Sequence, residues 1–161
     1  MVAVCAAPFV LGWLAYEYRW GAGKPSNYGE LLEPRPVAGP LALLKGKWVL
    51  VTADAAACSS ACERKLYIVR QVRRAQGKEM ERIDRLWLLT DSGKPRPELV
   101  AALDGGHIAP IDPQLLKSFP NITDIYLVDP LGNLMMRFPA EADPAKMIKD
   151  LQRLLKYSSF G

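Results

Sequence analysis

The chain has 161 residues, 50% hydrophobic and 24% charged, with a net charge of +4. That balance excludes a disordered tail and a collagen-like or coiled-coil chain, and it is too mildly basic, with no arginine-rich arm, to indicate nucleic acid. Three cysteines are too few for a disulfide-scaffold miniprotein, and the single histidine, His107, is the only one any zinc hydrolase or histidine-based triad would have.

Residues 1–16, MVAVCAAPFVLGWLAY, carry no charged side chain; the first charge is Glu17 and the first basic residue Arg19. A membrane helix needs about 20 apolar residues, and Tyr16, Tyr18 and Trp20 prolong this run where an interfacial aromatic belt belongs. Residues 1–18 are therefore expected to form a transmembrane anchor. The absence of a basic residue before the run points to a start further upstream. Cys5 lies within the apolar run, where a thiol is inert. Residues 19–46 contain Pro25, Pro34, Pro36 and Pro40 among several glycines, which predicts an extended tether. Residues 47–161 then form the domain.

Trp48–Thr52 (WVLVT) is a short continuous apolar run, the pattern of a strand buried on both faces. Leu66, Val69 and Val72 recur at helical spacing, flanked by Arg64, Lys65, Arg70, Arg73 and Arg74, and predict an amphipathic helix ending near Gly77, its basic face solvated or, as the alternative, favouring thiolate at Cys62 or meeting an acidic partner. Arg85–Thr90 (RLWLLT) reads as a second buried strand. Glu98–Leu103 predicts a short helix stopped by Gly105-Gly106, and Asp112-Pro113 opens another through Lys117. Asp124–Asp129 (DIYLVD) is a third strand. Pro130–Asn133 turns it into a hairpin with Leu134–Phe138. Asp143-Pro144 caps a last helix with an apolar stripe of Met147, Ile148, Leu151, Leu154 and Leu155. Trp48 and Trp87 are expected to pack the sheet. The order predicts an α/β fold with a central mixed sheet and flanking helices, the element order of the thioredoxin fold.

The chemistry is expected at Cys58-Ser59-Ser60-Ala61-Cys62, between a buried strand and an amphipathic helix. A helix N-terminus favours thiolate through unpaired N–H groups and the macrodipole. The flanking alanines and serines are small enough to let a partner approach. An i, i+4 pair lies about one helical turn apart, within the reach of a disulfide, and two thiolates also suit Cu(I). Three readings follow: dithiol–disulfide exchange, Cu(I) binding, or a structural disulfide in a non-enzymatic interaction module. A structural zinc site wants four ligands, and only Cys58, Cys62 and His107 are at hand. Asp54 is a candidate proton acceptor for thiol exchange. A peroxidase reading is disfavoured, because Ala55 stands where such sites place threonine.

GKWVLVTADAAACSSACERKLY, together with DIYLVDPLGNLMMRF, resembles the Sco/SenC family of membrane-anchored thioredoxin-like proteins, over roughly residues 28–157. The resemblance implies a role in assembling the dinuclear copper centre of cytochrome c oxidase, as a Cu(I) carrier, a thiol reductant or both. Cys58 and Cys62 match the two family cysteines. It also implies an oxidase subunit or another copper chaperone as partner, and an inner-membrane location with the domain on the periplasmic or equivalent oxidising side. Two positions depart from the family pattern. Glu63 replaces the proline that usually follows the second cysteine. No histidine stands near Asn121, where the family places its copper ligand, so His107 in GGHIAP is the remaining candidate for a third ligand. Thr123 is the expected residue facing the dithiol.

Overall fold

The computed structural model describes residues 10, 11, 13, 14, 17 and 26–159. Most of the expected anchor, residues 1–18, lies outside them. No helix among the described residues is long and apolar enough to cross a membrane.

The apolar run Trp48–Asp54 forms strand β2, and Ile83–Leu89 forms β3 parallel to it, with Val51 opposite Leu86. Alternate β2 residues face opposite layers. Trp48 and Leu50 point to one cluster, and Val49, Val51 and Ala53 to the other. Both faces are buried, which is why the run lacks polar alternation. Between these strands, Ser60–Arg74 forms helix α1, which buries Cys62, Leu66, Val69 and Val72 on one face. Basic Arg73 and Arg74 in its last turn complement the helix dipole.

Pro97–Ala102 (α2) and Pro113–Lys117 (α3) are the two short helices, separated by a four-residue strand, His107–Pro110 (β4), parallel to β3. Ile125–Val128 (β5) lies antiparallel to β2 and forms the expected hairpin with Asn133–Phe138 (β6). Helix α4, Pro144–Tyr157, is capped by the Asp143 side chain, which accepts from Ala145 N at 2.9 Å. It packs Met147, Leu151 and Leu155 against the same face of the sheet as α1.

The stretch expected as a tether contributes Glu30–Pro36 (β1), antiparallel to β6, and a 3-10 turn at Gly39–Leu44 that buries Leu41. Its prolines fit because β1 is an edge strand, where a missing N–H costs no ladder bond. The described residues form a six-stranded sheet in the order β1-β6-β5-β2-β3-β4. Asp150 on α4, 4% exposed, holds the entry to β1 by accepting from Gly29 N at 2.8 Å. The parallel strands β2, β3 and β4 end at one pole of the sheet, and the cysteine loop follows β2 there.

Candidate functional site

The sequence Ala55–Cys58 leaves β2 in a tight turn. Cys58 N donates to Ala55 O at 3.0 Å, and Cys58 itself adopts φ +49°. That left-handed conformation costs a residue with a Cβ roughly 1–2 kcal/mol, and here it aims the Cys58 side chain back over the helix start. Ser59 is the N-cap; its hydroxyl accepts from Cys62 N at 3.4 Å. Cys62 therefore sits in the first turn, among N–H groups that have no intrahelical partner. Cys58 and Cys62 are joined as a disulfide, with a Cα–Cα separation of 5.2 Å.

The expected open surface over the sulfurs is not there. Cys58 is 6% exposed and Cys62 is fully buried, in a cluster with Leu66, Trp87, Leu99 and Leu103. Leu99 and Leu103 belong to the β3–β4 connection, Thr90–Gly106, which folds across the disulfide. Two polar contacts fasten this covering segment to the cysteine loop. Asp91 Oδ1 accepts from Ala56 N at 3.0 Å, and Arg96 forms an ion pair with Glu63. Glu63, one of the two departures noted in the sequence, thus works as a fastening point. Farther along, Arg70 donates to Ala102 O at 3.1 Å and Arg74 pairs with Asp104 at 2.7 Å. The Arg74 guanidinium holds the Asp104 carboxyl below its ordinary value.

The basic face of α1 is taken up by the fold itself. Besides the pairs just named, Arg64 meets Glu141 at 2.8 Å and Arg73 meets Glu81 at 3.3 Å. Lys65 departs from the expected solvated face altogether. Its side chain is 4% exposed and pairs with Asp54 at the end of β2 at 2.6 Å. Asp54, read as a possible proton acceptor, is thereby committed to a cation.

His107, the candidate for a third copper ligand, does not sit with the cysteines. His107 opens β4, opposite Leu86 and so level with Val51, two strands away from β2. His107 therefore shares the sheet face of Leu86 and Val51, whereas the cysteines cluster with Trp87 on the opposite face. The His107 ring is engaged by Asp84 at 3.0 Å. Asn121 is held as a turn: its backbone N and O both bond the Tyr126 hydroxyl, at 2.9 and 2.7 Å, and its Oδ1 accepts from Thr123 Oγ1 at 3.0 Å. Burial of Tyr126 pushes its phenol up, and the hydroxyl donates to Asn121 O. Among the described residues no group of three or more His, Cys, Asp or Glu side chains converges on a metal position.

A family model described as "Transmembrane-like, thioredoxin-like, C-terminal domain" matches residues 48–158, which include both cysteines, the covering segment and α4. The chain belongs to this family. Its fold is also that of several solved proteins. Copper-bound Sco1 from yeast superposes with a TM-score of 0.59 at 17% identity, over 84% of this chain and 96% of that one. Apo Sco1 from Thermus thermophilus gives 0.58 at 18% identity, over 84% and 98%. A putative protein disulfide isomerase from Bacteroides thetaiotaomicron gives 0.51 at 18% identity, over 81% and 91%. No curated protein matches the chain by sequence. At these identities the likeness establishes the thioredoxin-like fold, and the Sco resemblance noted in the sequence extends to the architecture of this family member.

Two features escaped the sequence. The covering role of Leu99 and Leu103 depends on where a fifteen-residue helix places Cys62, which no local pattern encodes. The burial of Lys65 had a partial signal, since positions 62, 65, 66 and 69 lie on one helical face.

Proposed function

We propose that this protein carries out thiol–disulfide exchange at Cys58–Cys62 beside a membrane, in the service of cytochrome c oxidase assembly. The observation that carries the exchange reading is the asymmetry of the disulfide. Cys58 precedes the helix cap and keeps a sliver of exposure, whereas Cys62 is sealed within the first turn. An incoming thiolate reaches Cys58 Sγ and forms a mixed disulfide there. The Cys58–Cys62 bond breaks, and Cys62 leaves as a thiolate in the first turn of α1, at the positive end of the helix dipole. In the reverse direction the Cys58 thiolate attacks a partner disulfide, and Cys62 then attacks Cys58 Sγ and frees the partner's thiolate. The expected partner is an oxidase subunit or another copper chaperone, with the domain on the periplasmic or equivalent oxidising side, held by the apolar segment 1–18. The Sco-like fold and the matching cysteine positions support that setting.

Copper enters this reading as cargo. The donor set does not fit a three-ligand copper site, since Asn121 stands where the family places its histidine and the His107 ring is engaged by Asp84. The second reading is therefore a two-thiolate Cu(I) complex of the reduced pair, favoured by the 5.2 Å Cα–Cα separation and by the preference of Cu(I) for sulfur.

The test is a redox titration of the full chain in detergent. A Cys58–Cys62 potential clearly above about −300 mV supports exchange, and a lower one marks a structural bridge in a non-enzymatic interaction module. Anaerobic Cu(I) titration of the reduced protein against a competing chelator tests the cargo reading. Competition lost in Cys58→Ser and kept in His107→Ala is the expected result.

A further inference from the structure

Lys65 stands three residues beyond Cys62, on the face of α1 that also buries Leu66 and Val69. Its side chain is 4% exposed. The ammonium pairs with Asp54 Oδ2 at 2.6 Å and donates to Thr123 O at 2.9 Å and Ala53 O at 3.4 Å. Those partners come from the strand end that feeds the cysteine loop and from the turn that leads into β5.

A buried ion pair is a poor source of stability, because apolar side chains of similar volume often serve as well or better. On this helix face a leucine would pack without desolvating a charge. What Lys65 supplies, and leucine would not, is a fixed cation next to the turn that bears the cysteines. Reduction places negative charge on those sulfurs, and a charge in a poorly solvated site acts on it more strongly than it would in water. Asp54, 25% exposed, is the counter-charge of opposite effect.

We propose that Lys65 is a positioning residue for thiol exchange: its ammonium ties the strand end and the Thr123 turn to the cysteine-bearing helix and favours the reduced, thiolate state, while Asp54 biases the pair the other way. The inference rests on the exchange reading of Cys58–Cys62. With glutathione as reductant, one thiolate attacks Cys58 Sγ and Cys62 leaves as thiolate. A second glutathione thiolate then attacks the glutathione sulfur of the mixed disulfide, forming oxidised glutathione and releasing Cys58 as thiolate. Two electrons pass from two glutathiones to the protein.

The experiment equilibrates the full chain in detergent with reduced and oxidised glutathione and reads the reduced fraction by alkylation and mass. The Lys65→Met equilibrium constant for reduction is expected to fall about tenfold, equivalent to a potential about 30 mV more negative. Lys65→Arg restores the wild-type value within about twofold. Asp54→Asn shifts the constant in the opposite direction, towards reduction. Should Lys65→Met fail to fold, the Asp54→Asn shift and the Lys65→Arg value decide. Shifts of the same sign in Lys65→Met and Asp54→Asn, or none, overturn the inference, because a merely structural pair broken from either side has no reason to respond with opposite signs. A wild-type protein that does not exchange with glutathione overturns the exchange reading, and this inference with it.

Discussion

Truncating Leu99 tests whether the covering segment controls access to the disulfide. Leu99 is 8% exposed and packs in the cluster that holds both cysteines. Leu→Ala in a core costs about 2–5 kcal/mol. At Leu99 the low end applies, about 2 kcal/mol, because α2 is a six-residue helix at the rim of the sheet. If that loss falls on the closed position of Thr90–Gly106, the open population rises roughly 30-fold, at about 1.4 kcal/mol per factor of ten. Reduction of Cys58–Cys62 by dithiothreitol should then quicken at least about tenfold in Leu99→Ala, short of the full factor because attack on an open disulfide sets a ceiling. The assay is quenched alkylation with mass detection over a time course. Leu131→Ala, at the exposed β5–β6 turn on the far pole, is the control and should react as wild type. The reasoning is refuted if Leu99→Ala loses thermal stability yet is reduced at the wild-type rate, since attack would then not depend on the covering segment.

Two further outcomes follow from particular contacts. A Cβ at Gly29 would stand 2.5 Å from Phe138 Cε1 and 2.6 Å from Met136 Sδ, both buried, so Gly29→Ala should overpack the β1 junction and lower Tm by roughly 5–10 °C in a thermal melt. Asp104 titrates below its ordinary value in the fold because Arg74 bonds its carboxylate. A depressed carboxyl contributes stability above its unfolded pKa and loses it as pH falls through the lower, folded value. In Arg74→Gln the Asp104 carboxyl should titrate nearer 3.8, read by carbon NMR; an unchanged titration would show that Arg74 does not set it.

The sequence carried the parts of the fold that depend on local pattern. Trp48–Thr52 and Arg85–Thr90 were legible as buried strands because both faces of the central sheet are covered, and α3 and α4 because Asp112-Pro113 and Asp143-Pro144 mark helix starts. β1 and β4 were not legible. β1 carries two prolines and an irregular register between Leu31 and Arg35, and β4 has only four residues, so neither shows the alternation that announces a strand. At the site, the cysteine pair and its place before a helix could be read from spacing alone. The sealed sulfurs, the inward turn of Lys65 and the separation of His107 from Cys58 are set by how distant segments pack. A loop histidine in the sequence becomes an edge-strand histidine once Leu86 provides its partner.

The way residues 26–36 are built in bears on where this chain can be cut. A fragment made by discarding everything before the first obvious strand would begin near Lys47 and lose β1. The amide and carbonyl row of β6 would then be bare, ready to recruit a second molecule. Arg153 grips Ser26 and Asn27, and Asp150 grips Gly29, so a fragment that keeps this edge covered must keep Ser26 and everything after it.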